Sequence, residues 1–186
     1  MKAFGVLCPE GFFYTLFLDI QITRMQITDI AGKVTLNNGI QMPYLGLGVY
    51  KTKDGEEVEN ALLCALRAGY RLVDTAAYYN NEEGVGKVIR NCRIPREEIF
   101  VTSKVWIDDQ GYEKTLTAFE KSRQKLSLDY LDMYMIHWPV ADTLTETWRA
   151  MEELYKAGKV KAIGICNSLQ HQVNEILQNG SIKPAV

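Results

Sequence analysis

Short apolar runs alternate with helix-like segments along most of this 186-residue chain. The repeat interval is about 30 residues, as expected for units of one strand and one helix. The predicted strands cover residues 45–50, 71–73, 99–102, 131–136 and 160–165. The predicted helices cover 56–68, 81–90, 112–126, 145–157 and 170–177, and the first of them has apolar residues at i, i+3, i+4 and i+7. Strands that alternate with helices pair in parallel through right-handed crossovers, so the pattern predicts an α/β fold.

The number of units indicates which α/β fold this is. About five βα units are present, and residues 184–186 resemble the start of a sixth strand. A closed (β/α)8 TIM barrel has eight units and ~250 residues. We therefore expect a (β/α)8 barrel that is incomplete in this chain. Asn38-Gly39 lies between two short apolar runs and predicts an N-terminal β-hairpin, because these two residues readily adopt the positive φ angles of a tight turn. We expect this hairpin to close one end of the barrel.

Residues 1–24 do not continue this alternation. The apolar run at 12–18 is much shorter than the ~20 residues of a membrane span, and no small-residue cleavage site follows it. We expect residues 1–24 to be an N-terminal extension outside the domain, and 25–186 to be the N-terminal part of the barrel. A segment that touches a membrane or a partner is the alternative for 1–24.

Charge and cysteine content narrow the possible ligands. The formal net charge is −2, which argues against nucleic acid as a partner. The four cysteines form no CxxC pair and the chain has two histidines, a pattern that predicts no metal site and a protein of the reducing cytoplasm. Cys64 lies among the apolar residues of a predicted helix, so we expect it in the core.

Four polar residues lie at or near the ends of the predicted strands: Asp74, Tyr79, Lys104 and His137. The carboxyl ends of parallel strands converge on one face of a barrel, so the four side chains should share a pocket there. Each also has a plainer interpretation. Asp74 and Lys104 would suit a structural ion pair, Tyr79 a surface loop, and His137 a hydrogen-bonded histidine near the core. Tyr78 adjoins Tyr79, and the five-residue step from Asp74 selects Tyr79.

Together these groups suit the protonation of a carbonyl oxygen. A tyrosine has a pKa of about 10, and a nearby lysine ammonium stabilises the phenolate and lowers that pKa. A carboxylate keeps the lysine charged, and a histidine orients the carbonyl or relays a proton. Such a cluster serves a reduction in which hydride comes from a nicotinamide cofactor.

The chain resembles the aldo-keto reductase family in four motifs that occur in the family's order. They are Gly69-Tyr70-Arg71-Leu72-Val73-Asp74-Thr75-Ala76 with Tyr79-Asn80-Asn81-Glu82 and Val85-Gly86, then Thr102-Ser103-Lys104-Val105-Trp106, Ile136-His137-Trp138-Pro139, and Lys161-Ala162-Ile163-Gly164-Ile165-Cys166-Asn167. The resemblance extends from about Met25 to Val186. Within the family, the bacterial diketogluconate and glyoxal reductases are the most similar group.

This resemblance implies NADPH-dependent reduction of aldehydes or ketones to alcohols, with NADH left open as the alternative cofactor. It implies that Tyr79 is the general acid, that Lys104 and Asp74 tune it, and that His137 orients the substrate carbonyl. The implied cofactor-binding residues are Asp74, Cys166 and Asn167. The implied substrate-pocket residues are Tyr50, Trp106 and Trp138, although large aromatic residues also serve as packing.

Several differences from the family pattern support a second hypothesis. Cys166 occupies a position where serine is more usual, and a thiol is a weaker hydrogen-bonding group than a hydroxyl. Ser168 replaces the customary aromatic residue. Residues that complete the family's cofactor site lie beyond the region that this chain matches. The alternative is therefore an inactive truncated fragment or a non-enzymatic binding protein, with very weak NADPH affinity and possible self-association through unpaired strand edges.

Overall fold

A computed structural model of the chain describes residue 30 and residues 32–186. The expectations for residues 1–24 lie outside this described part. The strands are β1 (Lys33–Thr35), β2 (Gln41–Pro43), β3 (Leu47–Gly48), β4 (Leu72–Asp74), β5 (Phe100–Val105), β6 (Met133–Ile136) and β7 (Ile163–Ile165). The helices are α1 (Glu56–Arg67), α2 (Glu82–Asn91), α3 (Tyr112–Leu126), α4 (Leu144–Lys156) and α5 (Gln170–Asn179).

Strands β3 to β7 form one parallel sheet in chain order, with a helix after each strand. The predicted start of a sixth strand pairs with β7 through its backbone. The Ala185 amide donates to the Ile163 carbonyl at 2.8 Å, and the Ile165 amide donates to the Val186 carbonyl at 3.1 Å. This arrangement confirms the predicted fold class, an incomplete (β/α)8 barrel.

The antiparallel hairpin of β1 and β2 packs on the amino ends of the barrel strands. The Asn38 side chain donates to the Lys161 carbonyl at 2.9 Å, and Leu36 packs beside Phe100 and Met133. In its turn only Gly39 has a positive φ, 86°, and its amide donates to the Leu36 carbonyl. We expected positive φ angles at both Asn38 and Gly39, but only Gly39 has one. The turn is longer than a two-residue hairpin loop, and it needs a left-handed residue only at Gly39.

The sheet separates two apolar layers. Side chains that point outward, among them Val101, Val105 and Ile136, pack against the helices. Those that point inward from the amino half of the sheet, including Phe100 and Met133, fill the barrel interior. Because side chains alternate along a strand, β5 contributes to both layers. Apolar packing at the amino end of the interior leaves the carboxyl end for polar groups.

Two further sequence-based expectations were wrong in detail. Strand β5 runs to Val105 rather than ending at residue 102, so Lys104 lies inside the strand, in register with Met135 of β6. The polar run Thr102-Ser103-Lys104 hid this continuation, although its backbone pairs normally. Cys64 is exposed rather than in the core. It lies two residues beyond buried Leu62, a rotation of about 200° around the helix.

Gly86 allows helices α2 and α3 to approach closely. A Cβ atom at this position would lie 2.1 Å from the Leu126 carbonyl oxygen and 2.6 Å from its Cα atom. Arg90, one turn further along α2, donates to the same carbonyl at 2.7 Å. The glycine in the Val85-Gly86 motif is therefore required by helix packing, not by a turn.

We expect Gly86→Ala to lower the free energy of unfolding by roughly 1–3 kcal/mol, because the added methyl group meets backbone atoms that cannot rotate away. Urea denaturation measures this change. Gly48→Ala is the matched control, since a Cβ at Gly48 would meet nothing within 4 Å. Equal stability of the two variants would contradict the packing role of Gly86.

Candidate active site

The structure brings the four predicted acid–base residues to the carboxyl edge of the sheet. Asp74 ends β4, Lys104 lies near the end of β5, and His137 directly follows β6. Tyr79 lies in a short 3-10 turn after β4, formed by Ala77–Tyr79. Because β4, β5 and β6 are neighbours in the sheet, these side chains lie side by side.

The ammonium group of Lys104 joins two of the other predicted residues. Its Nζ atom donates to Asp74 Oδ1 at 2.6 Å, to the Thr75 carbonyl at 3.0 Å and to Tyr79 Oη at 3.4 Å. Lys104 is only 5% exposed. An ammonium group has three N–H donors, so the three acceptors hold it in a defined position. Thr102, which sequence reasoning missed, donates to the same Asp74 oxygen at 2.6 Å.

Asn81 fixes the loop that carries Tyr79. Its buried side chain donates to the Val49 and Thr52 carbonyls, at 2.8 and 2.9 Å, and accepts from Thr75 Oγ1 at 2.8 Å. One amide thus ties the loop after β3 to the loop after β4. The sequence contained a hint of this role, because Asn81 belongs to the motif that follows Tyr79, but its partners are distant along the chain.

Glu82 fixes the strand that carries Lys104. Its buried carboxyl accepts a hydrogen bond from Ser103 Oγ at 2.6 Å, behind the sheet and one residue before Lys104. Burial raises the pKa of Glu82, while hydrogen bonds from Ser103 and Ser122 and the charge of Lys125 oppose the rise. This residue supports the site from the helix side and faces away from the pocket.

His137 lies among aromatic rings and is neutral at physiological pH. Its ring centroid is 5.5 Å from that of Tyr79 and 5.1 Å from that of Trp106, and both contacts are edge-on. Burial, with a smaller contribution from the positive charge of Lys104, lowers the pKa of His137 to about 4; the charge of Asp74 opposes this shift. Within the described residues its buried Nδ1 atom has no hydrogen-bond partner. We therefore expect the proton on Nε2, which leaves no buried N–H without an acceptor.

The predicted substrate-pocket residues lie around these groups. The Tyr50 ring is 5.0 Å from the Tyr79 ring, and Tyr50 and Trp138 are both about half exposed. Gln110, which sequence reasoning missed, holds the loop of Trp138. Its side chain donates to the Trp138 carbonyl at 2.6 Å and accepts from the Val140 amide at 3.1 Å.

The residues expected to hold the nicotinamide lie after β7, at the same edge of the sheet. Asn167 has a left-handed backbone, with φ 52°, and its side chain donates to the His137 carbonyl at 2.8 Å. The Cys166 thiol lies 3.5 Å from the Met135 sulfur. Burial raises the pKa of Cys166 to about 11, with Lys104 opposing and Asp74 adding to the rise, so the thiol stays protonated. In the part of the chain that the structure describes, no helix is long and apolar enough to cross a membrane, and no cluster of metal-ligating side chains occurs.

Comparison with protein families and known sequences links this arrangement to one group. A model of the Aldo/keto reductase family matches residues 44–186. A glyoxal reductase of Bacillus subtilis is 53% identical over 159 residues, which cover 86% of this chain and 58% of that protein. A 9,11-endoperoxide prostaglandin H2 reductase of Trypanosoma cruzi is 52% identical and matches 82% of this chain and 54% of its own length. The chain spans somewhat more than half the length of these relatives.

Solved structures agree with the sequence comparison. An aldo/keto reductase from Brucella melitensis superposes with a TM-score of 0.81 at 44% identity, covering 84% of this chain and 61% of that one. A Bombyx mori aldo-keto reductase in complex with NADP superposes with a TM-score of 0.76 at 35% identity, covering 83% of this chain and 56% of that one.

The chain has two histidines, and we expect the imidazole signal of one of them to titrate with a midpoint of about 4 in a proton NMR titration. That signal should be absent from the spectrum of His137→Gln. Because the pKa of His137 falls below its ordinary value of 6.5 on folding, its contribution to stability is complete above pH 6.5 and is lost as the pH falls towards 4. Thermal unfolding of the wild type and His137→Gln across this range isolates that contribution from those of the carboxylates. A His137 midpoint near 6.5 would contradict the burial argument.

Proposed function

The chain belongs to the aldo/keto reductase family, and from this premise we propose that it carries the acid–base centre of an NADPH-dependent reductase of aldehydes and ketones. The observation that carries this proposal is the triple contact of Lys104 with Asp74, Thr75 and Tyr79. It places a fixed positive charge beside a phenol at the edge of a barrel where ligands bind.

Tyr79 is the general acid in this proposal. As negative charge develops on the carbonyl oxygen of the substrate, the Tyr79 hydroxyl transfers its proton to that oxygen, and the alcohol forms. The positive charge of Lys104 stabilises the phenolate that remains, and Asp74 keeps Lys104 charged. Solvent then returns a proton to Tyr79.

His137 orients the carbonyl. A neutral imidazole with its proton on Nε2 donates a hydrogen bond, and it adds no second positive charge beside Lys104. Together with the Tyr79 hydroxyl it would hold the carbonyl oxygen between two donors. Tyr50, Trp106 and Trp138 form the apolar surroundings of the rest of the substrate.

The residues present suit the nicotinamide end of NADPH. Asn167 offers an amide, which matches the donor and acceptor groups of a carboxamide, and the neutral Cys166 thiol lies beside it. Bound NADPH would supply the hydride. A Bombyx mori relative is known in complex with NADP, and a second aldo-keto reductase, with a TM-score of 0.76, in complex with NADPH.

We expect Tyr79→Phe to lower the kcat for NADPH-dependent reduction of methylglyoxal by at least ~100-fold, because it removes the proton donor and keeps the ring. Absorbance of NADPH measures turnover, and quenching of protein fluorescence measures NADPH affinity, which we expect to change little. Tyr112→Phe makes the same chemical change on helix α3, where the tyrosine hydroxyl contacts the exposed Glu153.

The control variant should retain wild-type turnover. Turnover by Tyr79→Phe within a few-fold of the control would contradict the assignment of the acid. Absence of NADPH binding and of reduction by the wild-type chain would contradict the proposed activity itself.

A further inference from the structure

Tyr78 and Trp106 form a stacked pair beside the acid–base centre. Their ring centroids are 3.9 Å apart and their planes differ by 20°. Tyr78 is 46% exposed even though Trp106 covers one face of its ring. Tyr78 is therefore a half-exposed ring whose position is supported by Trp106 on one face.

The backbone holds this ring close to Tyr79. Both residues belong to the same 3-10 turn, in which the Tyr79 amide donates to the Ala76 carbonyl at 2.9 Å. The Asn80 side chain donates to the Tyr78 carbonyl at 3.1 Å, and Asn80 takes the left-handed conformation that ends the turn. The backbone that carries the Tyr78 ring is therefore held close to the proposed acid.

The partner ring is fixed just as closely to the reacting groups. Trp106 follows β5 directly, two residues after Lys104. It contacts His137 edge-on at 5.1 Å, and Tyr78 lies edge-on to the same imidazole at 6.3 Å. The two parallel rings thus form a wall that stands roughly perpendicular to the imidazole.

This wall is flat, and its surface is aromatic. Aromatic rings attract one another in offset-stacked or edge-to-face arrangements, by about 0.5–1.5 kcal/mol beyond the burial of apolar area. A planar substituent next to a carbonyl can lie against such a surface over its whole face. A puckered saturated ring of the same size meets it only at a few hydrogen atoms.

We propose that Tyr78, backed by Trp106, determines substrate preference by selecting carbonyl compounds whose carbonyl is conjugated to a planar or aromatic group. The inference rests on the proposed function for the place of the carbonyl, beside Tyr79 and His137. It adds a residue that the pocket prediction from sequence did not include, and a substrate class.

Binding of two matched ketones to the 186-residue chain tests this proposal without any cofactor. Acetophenone and cyclohexyl methyl ketone have the same number of carbons, but only the first is planar. Burial of apolar area alone would not favour the phenyl ring, so a preference for acetophenone reports stacking. Ligand-observed NMR titration gives both dissociation constants.

The wild type should bind acetophenone about three- to tenfold more tightly than cyclohexyl methyl ketone, from the stacking contribution above. Tyr78→Phe should keep this ratio, since it retains the ring, whereas Tyr78→Ile should bring it close to one. Tyr112→Ile, at the first residue of helix α3, where the tyrosine contacts Glu153 and Arg149 of α4, is the matched control and should keep the ratio.

Three results would overturn the proposal: a wild-type ratio of one or below, an unchanged ratio in Tyr78→Ile, or tighter acetophenone binding by Tyr78→Ile. The last would mean that Tyr78 covers Trp106 and blocks the substrate. Because no NADPH is present, a failure here is separate from failure of the proposed reductase activity. Circular dichroism of each variant shows whether the fold is retained.

Discussion

The buried ammonium group of Lys104 is the charge on which the arrangement of the candidate site depends. Removing a charged group from water costs several kcal/mol unless other groups satisfy it. Here Asp74, the Thr75 carbonyl and the Tyr79 hydroxyl do so, and Thr102 in turn holds Asp74. Because these partners come from two adjacent strands and the following loop, the same contacts that stabilise the charge also fix the positions of the proposed acid and its neighbours.

The two ends of the barrel have different roles: residues at the amino end stabilise the fold, and residues at the carboxyl end form the candidate site. At the amino end the hairpin covers an apolar interior, and Asp132 is paired with Arg96 at 2.8 Å and Lys161 at 2.9 Å. Tyr130 lies between those two cations, 4.2 and 4.1 Å from them. These groups form one network of ion pairs and cation–ring contacts. At the carboxyl end the rings of Tyr50, Tyr78 and Trp138 are about half exposed, as expected for the functional face of this fold.

Much of the fold followed from local patterns. Helix α3 begins and ends at the predicted residues, between Gly111 and Ser127, which both have a positive φ. The end of β5 was missed because a strand that changes from apolar to polar inward-facing residues no longer shows an apolar run. The expectation that Cys64 lies in the core was wrong because the buried face of α1 is narrower than the number of apolar residues in that helix indicates. The supporting roles of Asn81 and Gln110 depend on partners about 30 residues away, which no local pattern shows.

The sequence by itself determined the kind of chemistry available: a phenol, an ammonium, a carboxylate and an imidazole at the ends of successive parallel strands, in motifs that identify the family. Only the tertiary structure decided the state of those groups. The lowered pKa of His137 results from burial among rings that come from two different loops, and the contact of Lys104 with Tyr79 results from the path of one of them. The stacking of Tyr78 on Trp106 likewise joins residues from neighbouring strand ends. Burial and ring orientation are properties of packing, and packing depends on contacts between segments that are distant in the chain.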